Sequence, residues 1–171
     1  MKKLIVILFL AIPFIVNCQQ IGGAGHNKGY YASTCSAYSA SDTNIVLVNA
    51  GQWYIYHVRF VDVNNKDFSV ITSKGFKYTR SQSKEFTFVG TANNESSKSA
   101  IVQMQLFVNG TLIQGGRARR TFHNAGDIQG FDVNMHLDLI QNDTIKVMIK
   151  SDTPNTTITS YDCNITLTQI Q

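Results

Sequence analysis

The chain has 171 residues, 43% of them hydrophobic and 15% charged, with 12 Gly, 2 Pro and a formal net charge of +4. At roughly 150 residues per domain this is one domain. The apolar fraction excludes wholesale disorder, and the low charge excludes a long charged coiled coil or an acidic tail.

Residues 1–18, MKKLIVILFLAIPFIVNC, join a positive start at Lys2 and Lys3 to an apolar run from Leu4 to Val16. This is the pattern of a secretory signal. The run falls short of the roughly 20 apolar residues of a spanning helix, and no later run comes closer, so no membrane span is expected. Two processing routes stay open. Cleavage after Cys18 would leave Gln19 first. Alternatively Cys18 carries a lipid, since Ile15-Val16-Asn17-Cys18 is similar to a relaxed bacterial lipobox with Asn17 where a small residue is usual. Either way the product is exported, secreted or held at the outer surface by a lipid anchor. The charge of +4 includes Lys2 and Lys3, so +2 remains after cleavage. That balance, with no interleaving of aromatic and basic residues, argues against nucleic acid as a partner.

Residues 19–44 are rich in Gly, Ser, Ala and Asn. They read as a flexible leader with one short strand near Tyr30 to Ser33, and the domain proper occupies 45–171. Of the three cysteines, Cys18 belongs to the signal. Cys35 and Cys163 remain, and an even pair in an exported chain is a disulfide candidate. The alternative is two separate thiols, with Cys163 buried on its strand.

From Asn44 onward the apolar period is two. Tyr54, Tyr56, Val58 and Phe60 form one candidate inner stripe, with Trp53 and Ile55 on the opposite face; Phe86 and Phe88 form a shorter one. Val102, Met104, Leu106 and Val108 share a face. Phe131, Val133, Met135, Leu137 and Leu139 alternate with Asp132, Asn134, His136 and Asp138, as in a half-buried antiparallel strand. Ile145, Val147 and Ile149 repeat the pattern with Lys146 and Lys150 outward, and Cys163, Ile165 and Leu167 close it. Asn109-Gly110 marks a tight hairpin, because a type I′ turn needs positive φ at both central residues. Gly115-Gly116, 124–127, 141–143 and 152–155 mark further turns. No helical period appears after residue 18. About eight to ten strands at this spacing predict an all-β, antiparallel jelly-roll β-sandwich.

The C-terminal half, with Asn109-Gly110, Arg119-Arg120-Thr121-Phe122 running into Asn124-Ala125-Gly126-Asp127, Asn142-Asp143 before Ile145, and Asn164-Ile165-Thr166-Leu167 at its end, resembles the small jelly-roll heads of the complement-component and tumour-necrosis-factor-like superfamily. Such heads occur at phage fibre tips and in secreted bacterial proteins. The resemblance covers roughly 45–170. It implies a ten-stranded head that assembles as a homotrimer and works by attachment or recognition. Phage fibre heads usually follow a long shaft and carry no export signal. A signal directly before the domain therefore favours a secreted or surface-anchored protein over a virion component.

Few residues point to chemistry. His136 and Asp138, two apart on one face, supply two metal ligands at most, and the sequence names no third; the plain alternative is a polar outer face. His123 and Asp127 bracket a glycine-containing turn without a nucleophile motif, so a turn held by local hydrogen bonds of Asn124 and Asp127 is the simpler account. Arg117, Arg119 and Arg120 form the dense basic group. Arg117 and Arg119 share a strand face and Arg120 opposes it. Forked donors of this kind recognise anionic ligands such as sulfated or phosphorylated glycans; equally, they charge an edge strand or pair with Asp132 or Asp138. Trp53 is a seam, core or ligand-contact residue. Asp132, Asp138 and Glu85 show no spacing that fixes a catalytic pair. Five glycosylation sequons, at Asn94, Asn109, Asn142, Asn155 and Asn164, read as turn and strand residues beside a bacterial type of signal.

The expectation is an exported, non-enzymatic recognition or structural module, a trimeric head that binds a surface glycan or protein, with no cofactor, no metal and no catalytic residue. Its candidate ligand-binding residues are Arg117, Arg119, Arg120, Trp53 and His123, with loops 62–68, 90–98, 123–130 and 151–156 around them. A phage-encoded virion decoration or fibre-tip protein is the alternative, and a glycan-active enzyme the minor one.

Overall fold

The computed structural model describes residues 34–39, 42–58, 61–71 and 75–170. The expected signal, Cys18, the 30–33 strand and Phe60 lie outside them. Among the described residues there are twelve strands: β1 Thr34–Ser39, β2 Thr43–Leu47, β3 Tyr54–Ile55, β4 Val61–Lys66, β5 Phe68–Ile71, β6 Gly75–Tyr78, β7 Lys84–Ser96, β8 Ala100–Val108, β9 Thr111–Phe122, β10 Ile128–Leu139, β11 Thr144–Ser151 and β12 Thr156–Gln169. None of the described residues is helical.

The strands form two six-stranded sheets. Sheet A runs β10-β7-β12-β1-β4, with β2 also pairing β12; sheet B runs β5-β6-β11-β8-β9, with β3 also pairing β11. Every pairing is antiparallel. Neighbours in a sheet are mostly distant in sequence, as a jelly roll requires. Alternation sets the two faces of each strand. On β10, Phe131, Val133, Leu137 and Leu139 are buried, while Asp132, Asn134, His136 and Asp138 are exposed. Strand β1 lies inside the stretch expected as leader. Its Cys35 and Ala37 alternate with Ser36 and Tyr38 and join the core.

The core between the sheets is aromatic. Phe68, Tyr78 and Phe86 meet pairwise at 5.2 Å in tilted or edge contacts, and Phe122 stacks on Phe131 at 6.2 Å. A polar knot crosses it. The Tyr56 hydroxyl donates to Asn94 Oδ1 at 2.7 Å and meets Ser160 Oγ, while Asn94 Nδ2 approaches Met104 Sδ at 3.6 Å. Asn94 is fully buried, so its sequon is closed to modification. Burial, the largest cause, and the nearby Cys163 push the Tyr56 phenol well above its ordinary range.

Cys35 and Cys163 are not bonded to each other, which corrects the disulfide expectation. Cys35 stands opposite Leu167 and Cys163 opposite Ser39 on the β1–β12 ladder. An offset of four residues separates them by roughly 13 Å at the rise of a strand, against a limit of about 7 Å between Cα atoms for a bridge. Burial, aided by the Asp162 carboxylate, pushes the Cys163 thiol up to about 12.

Candidate functional site

The hairpin between β8 and β9 turns at Asn109-Gly110, with φ of 51° and 79°, the positive values the sequence predicts. The Asn109 side chain also holds the neighbouring turn: its Nδ2 donates to Asp143 Oδ1 at 2.7 Å and its Oδ1 accepts from Thr144 N at 2.9 Å. Asp143, buried, accepts from Ile140 N at 2.8 Å. This clasp joins two turns and anchors the near end of both strands.

The ladder then breaks. Phe107 pairs with Leu112, but Gln105 pairs with Arg117. Residues 113–116 therefore stand against Leu106 alone. Gly115-Gly116 is a bulge inside β9, not the expected turn. Gly115 takes φ of 92°, a conformation that Gly adopts without the cost of a Cβ. At Gly116 a Cβ would lie 2.4 Å from Met135 Sδ, so the backbone sits close over the core. The bulge also turns Gln105 from an outward position into a buried one, where its Nε2 donates to the Ile113 carbonyl at 2.6 Å. Such breaks bend a strand and re-aim its side chains.

The result is a groove of about 450 Å³ on the outer face of sheet B, within the size range of small-ligand sites. Gln103 and Gln105 of β8 form its floor, and Leu112, Gln114, Gly115 and Arg117 line the β9 side. Trp53 and Lys150 complete it. The Trp53 ring meets Phe107 edge-on at 5.4 Å, and the Lys150 ammonium lies 4.5 Å from the indole centroid, a cation–π distance. Two of the residues predicted from sequence, Trp53 and Arg117, thus share one concavity. The sequence reading missed Lys150 and the three glutamines as site residues. The available signal was the outward parity of Lys146 and Lys150 on β11.

Arg117, Arg119, Lys146 and Lys150 all project from this face, since the residues alternating with them on β9 and β11 point to the core. Among the described residues, the ion pairs are Arg80 with Asp67 and Arg120 with Asp132. Neither involves the groove.

The other candidates scatter. Arg119 is exposed opposite Gln103, outside the groove lining. Arg120 turns the other way, as expected: its Nε donates to the Gly130 carbonyl at 2.7 Å, NH2 stands 3.8 Å from Asp132, and the guanidinium lies 5.9 Å from the Phe131 centroid. It ties β9 to β10 across the sheet corner. His123 sits in the turn, where its backbone N–H and that of Asn124 donate to Asp127 Oδ2 at 2.7 and 2.8 Å. The Asn124 and His123 donors hold the Asp127 carboxyl below its ordinary value. Among the expected binding loops, 90–98 is mostly the far half of β7, and 62–68 is mostly β4 and the start of β5.

Sheet A offers a contrasting outer face. Glu85 and Glu95 of β7, Asp132 and Asp138 of β10 and Asp162 of β12 lie on it, and Glu85 stands directly opposite Asp138. Between them run Thr87, Thr91, Thr166, Thr168, Asn134 and Asn164. Val89 and Tyr38 are each 39% exposed there. His136 and Asp138 belong to this polar face, and no cluster of three metal-ligating side chains occurs among the described residues.

No protein-family model matches the sequence, and no curated protein matches it. Solved structures are similar in fold. Eiger TNF from S. frugiperda superposes with a TM-score of 0.60 at 6% identity, over 82% of this chain and 93% of that one. Murine APRIL superposes with a TM-score of 0.59 at 10% identity, over 82% and 100%. The globular domain of zebrafish complement 1qA protein superposes more loosely, at 0.42 and 13% identity, over 78% and 94%. The chain has the all-β jelly-roll fold of tumour-necrosis-factor-like proteins, as its sequence motifs imply.

Proposed function

We propose that this protein is an exported, non-enzymatic recognition module, a trimeric head that binds a surface glycan through the groove on sheet B. The observation that supports this most is the convergence of Trp53, Lys150 and Arg117 on one open concavity. A half-buried aromatic beside forked and point-charge donors is the material of ligand recognition. The outer face of sheet A serves the neighbouring copies. Its centre carries hydroxyl and amide groups and exposes Val89 and Tyr38. Three linked grooves then multiply a weak single-site affinity.

Two measurements test this reading. Light scattering on a sizing column returns three times the monomer mass, and Val89→Glu lowers it to one. Binding to a broad panel of immobilised glycans is retained by the wild type and lost in Arg117→Ala. A monomeric wild type removes the trimer and its avidity. Silence across the panel removes the glycan and leaves a protein ligand.

A further inference from the structure

The groove has a feature that a general sugar site would not need. Its one aromatic platform is already covered. Lys150 holds its ammonium 4.5 Å from the centroid of Trp53, so a sugar ring cannot reach that part of the indole without moving the cation. Arg117 lines the same groove and forms no ion pair among the described residues. Among the described residues, the acids of the outer sheet faces lie on sheet A, and none lines the groove.

We infer that the groove selects sugars that carry an anionic group, a carboxylate or a sulfate, with Lys150 acting as the selector on Trp53. This rests on the reading of the groove as a glycan site. A neutral sugar must displace the Lys150–indole contact and returns nothing to the ammonium. An anionic sugar draws the ammonium off the ring into a charge-assisted contact, binds Arg117 with the same group, and exposes the indole for its own ring. Gln103 and Gln114 offer amide donors and acceptors to the remaining hydroxyls. The anion and the ring are thereby required together. A free inorganic anion gains the charges but not the stacking, and a neutral sugar gains the stacking only against the cation.

The chain contains one tryptophan, so its fluorescence reports this groove and nothing else. The full chain is titrated with a sulfated tetrasaccharide from heparin, tetragalacturonate, cellotetraose and sodium sulfate. At least one of the two charged oligosaccharides is expected to shift Trp53 emission at a concentration at least tenfold below that of cellotetraose, with sodium sulfate needing more than either. Arg117→Gln raises the charged midpoint at least tenfold. Lys150→Gln narrows the charged-to-neutral gap to under threefold, because it removes the selector. Circular dichroism and the urea midpoint check that both variants fold. Equal midpoints for charged and neutral tetrasaccharides, or for sodium sulfate and the charged ones, overturn the inference while leaving glycan binding in place. A gap that survives Lys150→Gln overturns the role of Lys150. No response to any of the four, together with silence on the glycan panel, removes the inference and the glycan reading together; no response to the four with a positive panel removes the inference alone.

Discussion

Among the described residues, sheet A turns five carboxylates outward on strands of up to 14 residues, whereas the outer face of sheet B carries Arg117, Arg119, Lys146 and Lys150 on shorter strands around a broken ladder. The strands obey the same alternation. The difference lies in register. Sheet A is interrupted only slightly: Tyr161 of β12 is left unpaired between Ser160 and Asp162, and the β1–β4 register shifts between Ser36 and Ala37. In sheet B the break is larger: four β9 residues stand against Leu106 and open the groove beside the cations. The charges then decide what the concavity can do, because cations kept apart from the acids remain available to a ligand.

Breaking this comparison begins with the fold of sheet B. Gly75 has φ of 126°, and a Cβ there would lie 2.1 Å from the Ile145 carbonyl oxygen. Gly75→Ala should therefore cost about 3 kcal/mol or more, read as a fall in the urea midpoint. Next comes the knot that joins the sheets. Tyr56→Phe removes the hydroxyl that serves Asn94 and Ser160 and leaves buried polar groups unsatisfied, for a loss of about 1–3 kcal/mol by the same measurement. The outer faces should respond less. Asp132→Asn removes a half-exposed ion pair of 3.8 Å; a change of under about 1 kcal/mol is expected, and it should vanish in high salt. The smallest effect concerns pH. The Asp127 carboxyl is held below its ordinary value by two backbone donors, so the folded state binds its proton less readily than the unfolded chain. Its contribution is complete above the unfolded carboxylate range, about pH 4, and fades as pH falls through the lower folded value. The urea midpoints of wild type and Asp127→Asn should differ by a constant amount near neutrality and converge in acid.

The legible part of the fold was the part governed by local rules. The period of two placed the inward residues of β10 and the outward lysines of β11, and Asn109-Gly110 announced its turn because both residue types tolerate the positive φ it needs. What escaped depends on which strands become neighbours. The two cysteines looked like a pair because their number was even, yet their register on β1 and β12 holds them apart, and a period of two separates odd shifts from even ones but not one even shift from another. Gly115-Gly116 carries the same residue signal for a bulge as for a turn. Gln105 and Asn94 read as outward by alternation or as a sequon. They are buried because a partner from elsewhere, the Ile113 carbonyl or the Tyr56 hydroxyl, satisfies them. Trp53 and Arg117 were each weighed alone, and only the β3–β11–β8–β9 order brings them together.

The position of β12 has a consequence for how the chain reaches this state. It is the last of the strands, yet it lies between β7 and β1 and also pairs β2. Before it is synthesised, β1 and β2 lack their shared partner, and of sheet A only the β7–β10 and β1–β4 pairs can close. Such long-range closure is slow. Sheet A therefore closes only once β12 has joined it, whereas every strand of sheet B precedes β12 and that sheet can form without it.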